Sequence, residues 1–162
     1  KNAGATNTLR VLGKGPALIV LYLDTLKGVV SVLIASLLSS GSEVWMTLAG
    51  LSAIIGHNWP IFLGFRGGKG IATTIGMVAV VAPIPGLASG FMAIVAIMAT
   101  RYVSLGSLLF TCTLPFMMVL FNAHIAYIYG ALAITTLSVF RHIPNIERLV
   151  RGEERKLGER EE

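Results

Sequence analysis

Between two long apolar runs the chain reads Gly56-His57-Asn58-Trp59-Pro60-Ile61-Phe62-Leu63-Gly64-Phe65-Arg66-Gly67-Gly68-Lys69-Gly70. Glycine lets backbone approach a ligand closely and turn several N–H groups toward it. Arg66 and Lys69 add the positive charge that an anion, above all a phosphate, seeks. A Walker A loop requires G-x-x-x-x-G-K-[ST]. Here Leu63 stands for the first glycine and Gly70 for the hydroxyl residue, so nucleotide hydrolysis is not expected. What remains is Lys69 at the entrance to a helix predicted from Ile71, whose free N–H groups, with Thr73, form an anion site. The plainer alternative is a cationic membrane anchor with glycines for a tight turn. Four glycines in seven residues, Gly64 to Gly70, exceed what an anchor needs.

Three more polar stretches carry groups of the same kind. Asn2–Arg10 offers Asn2, Thr6 and Asn7, a flexible Gly4 and the fork of Arg10; Asn7 could instead cap the following helix. Arg101–Ser107 carries Ser104 and Ser107, residue types that also cap helices or bond to their backbone. In Arg141–Asn145, His142 could donate to a phosphate or move a proton, while Asn145 could cap a short tail helix. His57, beside Trp59, is ambiguous, and His124 is assigned no function. Asp24 and Lys27 are the ionisable residues deep in an apolar run. Spaced three apart on a helix, they read as a self-neutralising pair in preference to the polar end of a cleft.

Several catalytic patterns are missing. There is no G-x-S-x-G elbow. There is no H-x-x-x-x-D of the kind found in acyltransferases that use thioesters, and no metal-ligand spacing among the three histidines and one cysteine.

The elements that must position these loops are apolar helices. Of 162 residues, 54% are hydrophobic and only 13% charged, and mean hydropathy is +0.76. A soluble domain carries about 25% charged residues, so a membrane protein is expected. Six apolar segments stand out, at 16–38, 44–55, 71–82, 85–100, 103–120 and 126–140. They predict an all-α, polytopic helix bundle of six spans. Several fall short of the roughly 20 residues a crossing helix needs. Pro60, Pro83, Pro85 and Pro115 mark breaks or kinks, and residues 58–65 read as a re-entrant or interfacial piece. Connections alternate in charge: those with Lys1, Arg10 and Lys14, with Arg66 and Lys69, with Arg101, and after Phe140 are basic. The three others hold no Lys or Arg. The positive-inside rule then puts both ends in the cytoplasm. A transmembrane domain at 1–140 and a cytoplasmic amphipathic tail at 141–162 are expected, the tail lying on anionic lipid.

The four polar stretches occur in the order and spacing of one family. Asn2-x-Gly4-Ala5-Thr6-Asn7-x-x-Arg10, Gly56–Gly70, Val103-Ser104-Leu105-Gly106-Ser107 and Arg141-His142-x-x-Asn145-Ile146 resemble PlsY, over essentially the whole chain. These are bacterial membrane acyltransferases that move a fatty acyl group from acyl phosphate to glycerol 3-phosphate, giving lysophosphatidate in the first step of phospholipid synthesis. The resemblance implies seven helices, with a first helix and a Gly-Ser pair expected ahead of Lys1. It implies the bacterial cytoplasmic membrane, an active site facing the cytoplasm, no cofactor or metal, no nucleic acid, membrane lipids as surroundings and a monomer. It puts Arg10, Lys69, Ser107, His142 and Asn145 at active-site positions, with Lys69, Ser107, His142 and Asn145 as catalytic residues. Arg10 would bind substrate, joined by Asn2, Thr6, Asn7, His57, Arg66, Gly67 and Gly68 from the same loops. Pro144 departs from the family, which has a polar residue there. A small phosphate or anion transporter is the alternative; against it, the opposite face has no cationic or glycine-rich loops to form a second gate.

Overall fold

The computed structural model describes residues 4–159, and all regular structure among them is helical. The helices are α1 (Ala5–Leu12), α2 (Lys14–Leu38), α3 (Glu43–Asn58), α4 (Ile71–Val81), α5 (Pro83–Thr100), α6 (Val103–Leu120) and α7 (Ile125–Val150), with one 3-10 turn at Ile61–Leu63. The six expected apolar segments coincide with α2 to α7. Four stretches are long and apolar enough to cross a membrane: α2, α3 extended through Leu63, α5 and α6. The fourth helix is apolar but has only 11 residues.

Three local expectations are corrected. Residues 5–12 form a helix, so Asn7 lies inside it and caps nothing; Gly4 is its N-cap residue, and the Thr8 hydroxyl bonds back to the Gly4 carbonyl. Only Gly13, at φ 86°, separates α1 from α2. Pro115 sits inside an unbroken α6. Pro144 likewise sits inside α7, which runs from the apolar segment straight into the expected tail helix. Asn145 is therefore a buried interior residue and not an N-cap. A proline removes one backbone bond, and neighbouring helices make this tolerable. Pro60 and Pro83 do fall at breaks, before the 3-10 turn and at the first residue of α5.

Lipid supplies no hydrophobic drive between helices, so close backbone approach and polar contacts must hold them. A Cβ on Gly28 would run into the Thr73 carbonyl of α4, and one on Gly76 into the Thr25 carbonyl of α2. Between α6 and α7, the Thr135 hydroxyl donates to the Thr111 carbonyl at 2.7 Å, and Thr111 Oγ1 bonds Ser138 Oγ at 3.0 Å. Small apolar clusters fill the rest, one around Val32, Met46, Ile54, Met77 and Ile134, another around Val78, Leu114, Met118 and Ala131. The outside is apolar: Leu37, Leu38 and Val150 are exposed, and Phe62 on the 3-10 turn is 99% exposed.

Candidate active site

The four basic connections meet at one end of the bundle. The glycine-rich loop leaves α3 at Asn58 and enters α4 at Ile71. Gly70, its last residue, holds φ 78° and caps α4 without a side-chain bond. The first N–H groups of α4 thus lack helical partners and face the loop. Next to them the Lys69 ammonium donates to Asn145 Oδ1 at 2.5 Å. The amide of Asn145 donates in turn to Glu154 Oε1 at 2.6 Å, and Arg148 Nε donates to Glu154 Oε2 at 2.8 Å. Arg141 grips the loop from α7, with Nε and Nη2 on the Gly68 carbonyl at 3.1 and 2.7 Å and Nη2 on that of Gly67 at 3.2 Å. Its guanidinium lies over Trp59, 5.3 Å from the ring centre. Arg10 reaches the Arg155 carbonyl at 3.2 Å, and Arg101 and Leu157 exchange two bonds.

This clustering sets the electrostatics. Burial pushes the Lys69 pKa down to about 8; Glu154 opposes that shift, and Arg148, Arg10 and Arg141 add to it. Lys69 therefore lies within the field of three arginines and one carboxylate, a surplus of positive charge that an anion would relieve. For Glu154, burial alone would raise the pKa. Hydrogen bonds from Asn145 and Arg148 outweigh it and hold the carboxyl below its ordinary value.

Of the expected site residues, Lys69 and Asn145 touch directly. Gly67 and Gly68 are buried in Arg141's grip, and Arg10 joins through the chain after α7. His142 is 1% exposed. Its Nδ1 is 2.8 Å from the Ser138 carbonyl, so it is the donating nitrogen and Nε2 is the acceptor. Ser107 is not turned to Lys69; its hydroxyl donates to the Val103 carbonyl at 2.9 Å. Arg66 is exposed, and Thr6 and Asn7 are half-buried on α1. Asn2 lies outside the described residues. His57 stands on the far side of the loop, its Nδ1 3.3 Å from Asp24 Oδ1. A cavity of about 510 Å³ opens there, lined by Thr8, Asp24, Lys27, His57 and Gly67 among others. Sequence reasoning missed Glu154 and the clamping role of Arg141. The one available signal was a pair of glutamates, Glu153 and Glu154, set between Arg151 and Arg155.

A family model described as glycerol-3-phosphate acyltransferase matches residues 1–152. Glycerol-3-phosphate acyltransferase of Halalkalibacterium halodurans is 54% identical over 99% of this chain and 81% of its own length. That of Shouchella clausii is 52% identical over 98% and 80%. Two crystal structures of PlsY, an integral membrane glycerol 3-phosphate acyltransferase, are 37% identical and share the fold. The glycerol 3-phosphate form gives a TM-score of 0.90 over 96% of this chain and 78% of that one; the lysophosphatidic acid form gives 0.89 over 96% and 79%.

Proposed function

The chain belongs to the glycerol-3-phosphate acyltransferase family, and we propose that it takes its fatty acyl group from acyl phosphate, at a site facing the cytoplasm of a bacterium. It is an integral membrane acyltransferase, and the transporter alternative falls away. The acceptor is glycerol 3-phosphate and the products are 1-acylglycerol 3-phosphate and inorganic phosphate. The observation that carries this reading is the Lys69–Asn145 contact at the start of α4, ringed by Arg10, Arg141 and Arg148.

An acyl phosphate is a mixed anhydride with phosphate as its leaving group. A glycerol hydroxyl attacks the carbonyl carbon, an ester bond forms, and the bond from carbonyl carbon to phosphate oxygen breaks. The chain has to hold two anions near each other and align hydroxyl with carbonyl. Lys69, the N–H groups of α4 and Arg10 would hold phosphate groups. The buried His142 Nε2 and Asn145 would orient the reacting atoms, with Ser107, Thr6, Asn7 and Arg66 at the margin. The acyl chain would lie along the apolar helices, each buried methylene contributing about 0.8 kcal/mol. Basic connections at the site's end of the bundle support a cytoplasmic face and the cytoplasmic membrane.

The test is the purified full-length protein given acyl phosphate and radiolabelled glycerol 3-phosphate, with acyl-CoA in a parallel reaction. Labelled lysophosphatidate should form from acyl phosphate only. Comparable turnover with acyl-CoA would overturn the donor assignment.

A further inference from the structure

Asp24 lies ten residues into α2 and is 7% exposed. Lys27, one turn on, reaches its Oδ1 at 2.6 Å. That pair balances the charge and leaves a second contact unexplained, since His57 Nδ1 also faces Oδ1, at 3.3 Å. His57 is the next-to-last residue of α3, and its carbonyl accepts the Gly68 N–H at 3.1 Å. Gly67 is seated on the same carbonyl; a Cβ there would collide with that oxygen. The loop segment beside Lys69 is thus held on two sides. Arg141 fixes its carbonyls from α7, and His57 fixes its N–H from α3.

Behind His57 the packing is open, because the imidazole and Asp24 both line the 510 Å³ cavity. On that side the ring is held by the Asp24 carboxylate of α2. That contact ties the last turn of α3 to α2, and with it the His57 carbonyl on which the loop is seated. We propose that Asp24 is a positioning residue. Through His57 it sets the backbone of Gly67 and Gly68, and so the phosphate-holding geometry of Lys69 and the α4 N-terminus. This rests on the acyltransferase reading above for what the loop holds.

The experiment compares Asp24→Asn, His57→Leu, His57→Asn and the Asp24→Asn/His57→Leu double variant, each in the full-length protein in detergent. Hydrogen exchange over residues 67–70 is measured without substrate, alongside KM and kcat for glycerol 3-phosphate. Asp24→Asn should speed exchange in the loop and raise KM about tenfold, with kcat changed by less than about threefold. His57→Leu should match it, and the double variant should be no worse than either single one, since both cut the same link. Asparagine keeps a donor near the place of Nδ1, so His57→Asn should recover most of the loss seen in His57→Leu. Loop exchange and KM both unchanged in Asp24→Asn would overturn the proposal. So would additive losses in the double variant, or His57→Asn as impaired as His57→Leu; the latter comparison decides if Asp24→Asn fails to fold. The exchange measurement needs no turnover. If wild type makes no lysophosphatidate, the functional reading fails while this inference is still judged.

Discussion

In the proposed function Lys69 holds a phosphate as an ammonium, yet burial has brought its pKa down to about 8 from the usual 10.5. Above about pH 8 the folded enzyme progressively loses the ammonium. Folding stability responds in the opposite sense: between the two values the unfolded chain keeps a proton that the folded one has released, so rising pH favours the fold. With the ammonium binding substrate as proposed, KM for glycerol 3-phosphate should climb above about pH 8, approaching tenfold per unit. Lys69→Arg should flatten that climb, because guanidinium stays charged. A KM–pH series on the two proteins checks this. Lys69→Ala should lower kcat/KM at least about tenfold at pH 7, the loss of one charge-assisted contact of about 1.5–3 kcal/mol. A second residue-scale outcome concerns Glu154. Its lowered pKa means the carboxylate stabilises the fold above its ordinary value near 4.5 and loses that contribution as pH falls through the lower one. Glu154→Gln should reduce Tm at pH 7 and reduce its dependence on acid, as read by thermal unfolding across pH. The glycine loop with Lys69, and the stretch with His142 and Asn145 that proves to lie inside α7, stood out in sequence as polar groups between apolar runs. Glu154 was not, because its partners become neighbours only when the chain after α7 folds back.

The helices α2 to α7 were legible for a simple reason. Lipid-facing helices are apolar almost all round, so hydropathy alone marks them. Their ends were harder. The eight residues of α1 hold three large apolar side chains, too few to announce a helix. Pro144 lies exposed inside α7, and the helix continues through it to Val150. How α2 and α4 pack could not be read from composition, since it turns on two glycines meeting two carbonyls. Gly76→Ala should force these helices apart at Thr25, at a cost of about 1–3 kcal/mol for an overpacked contact. A lowered Tm in detergent would register it. Gly90 has open space around its Cβ position, so Gly90→Ala should leave Tm near wild type.

For the whole molecule, the alternation of basic and uncharged connections supports the proposed topology, with both ends of the chain in one compartment. In a Cys112→Ala background, cysteines placed at Ser42 and at Gly158 should be labelled from opposite sides of the membrane; labelling from one side would refute the proposed topology. The depth of the site follows from the shortness of α4. Its last residue is joined to α5 through Ala82 alone, and α5 is long enough to cross. Eleven residues rise about 16 Å, against a hydrocarbon layer of about 30 Å. On the proposed topology, with the turn between α4 and α5 at the far surface, α4 would reach only about halfway and leave Gly70 and Lys69 well beneath the near one. Drawing a sixteen-carbon chain into water would cost about 12 kcal/mol, at about 0.8 kcal/mol per methylene. A sunken site would spare the enzyme that extraction: the fatty tail would stay in oil from donor to product, and the small hydrophilic partner would make the descent.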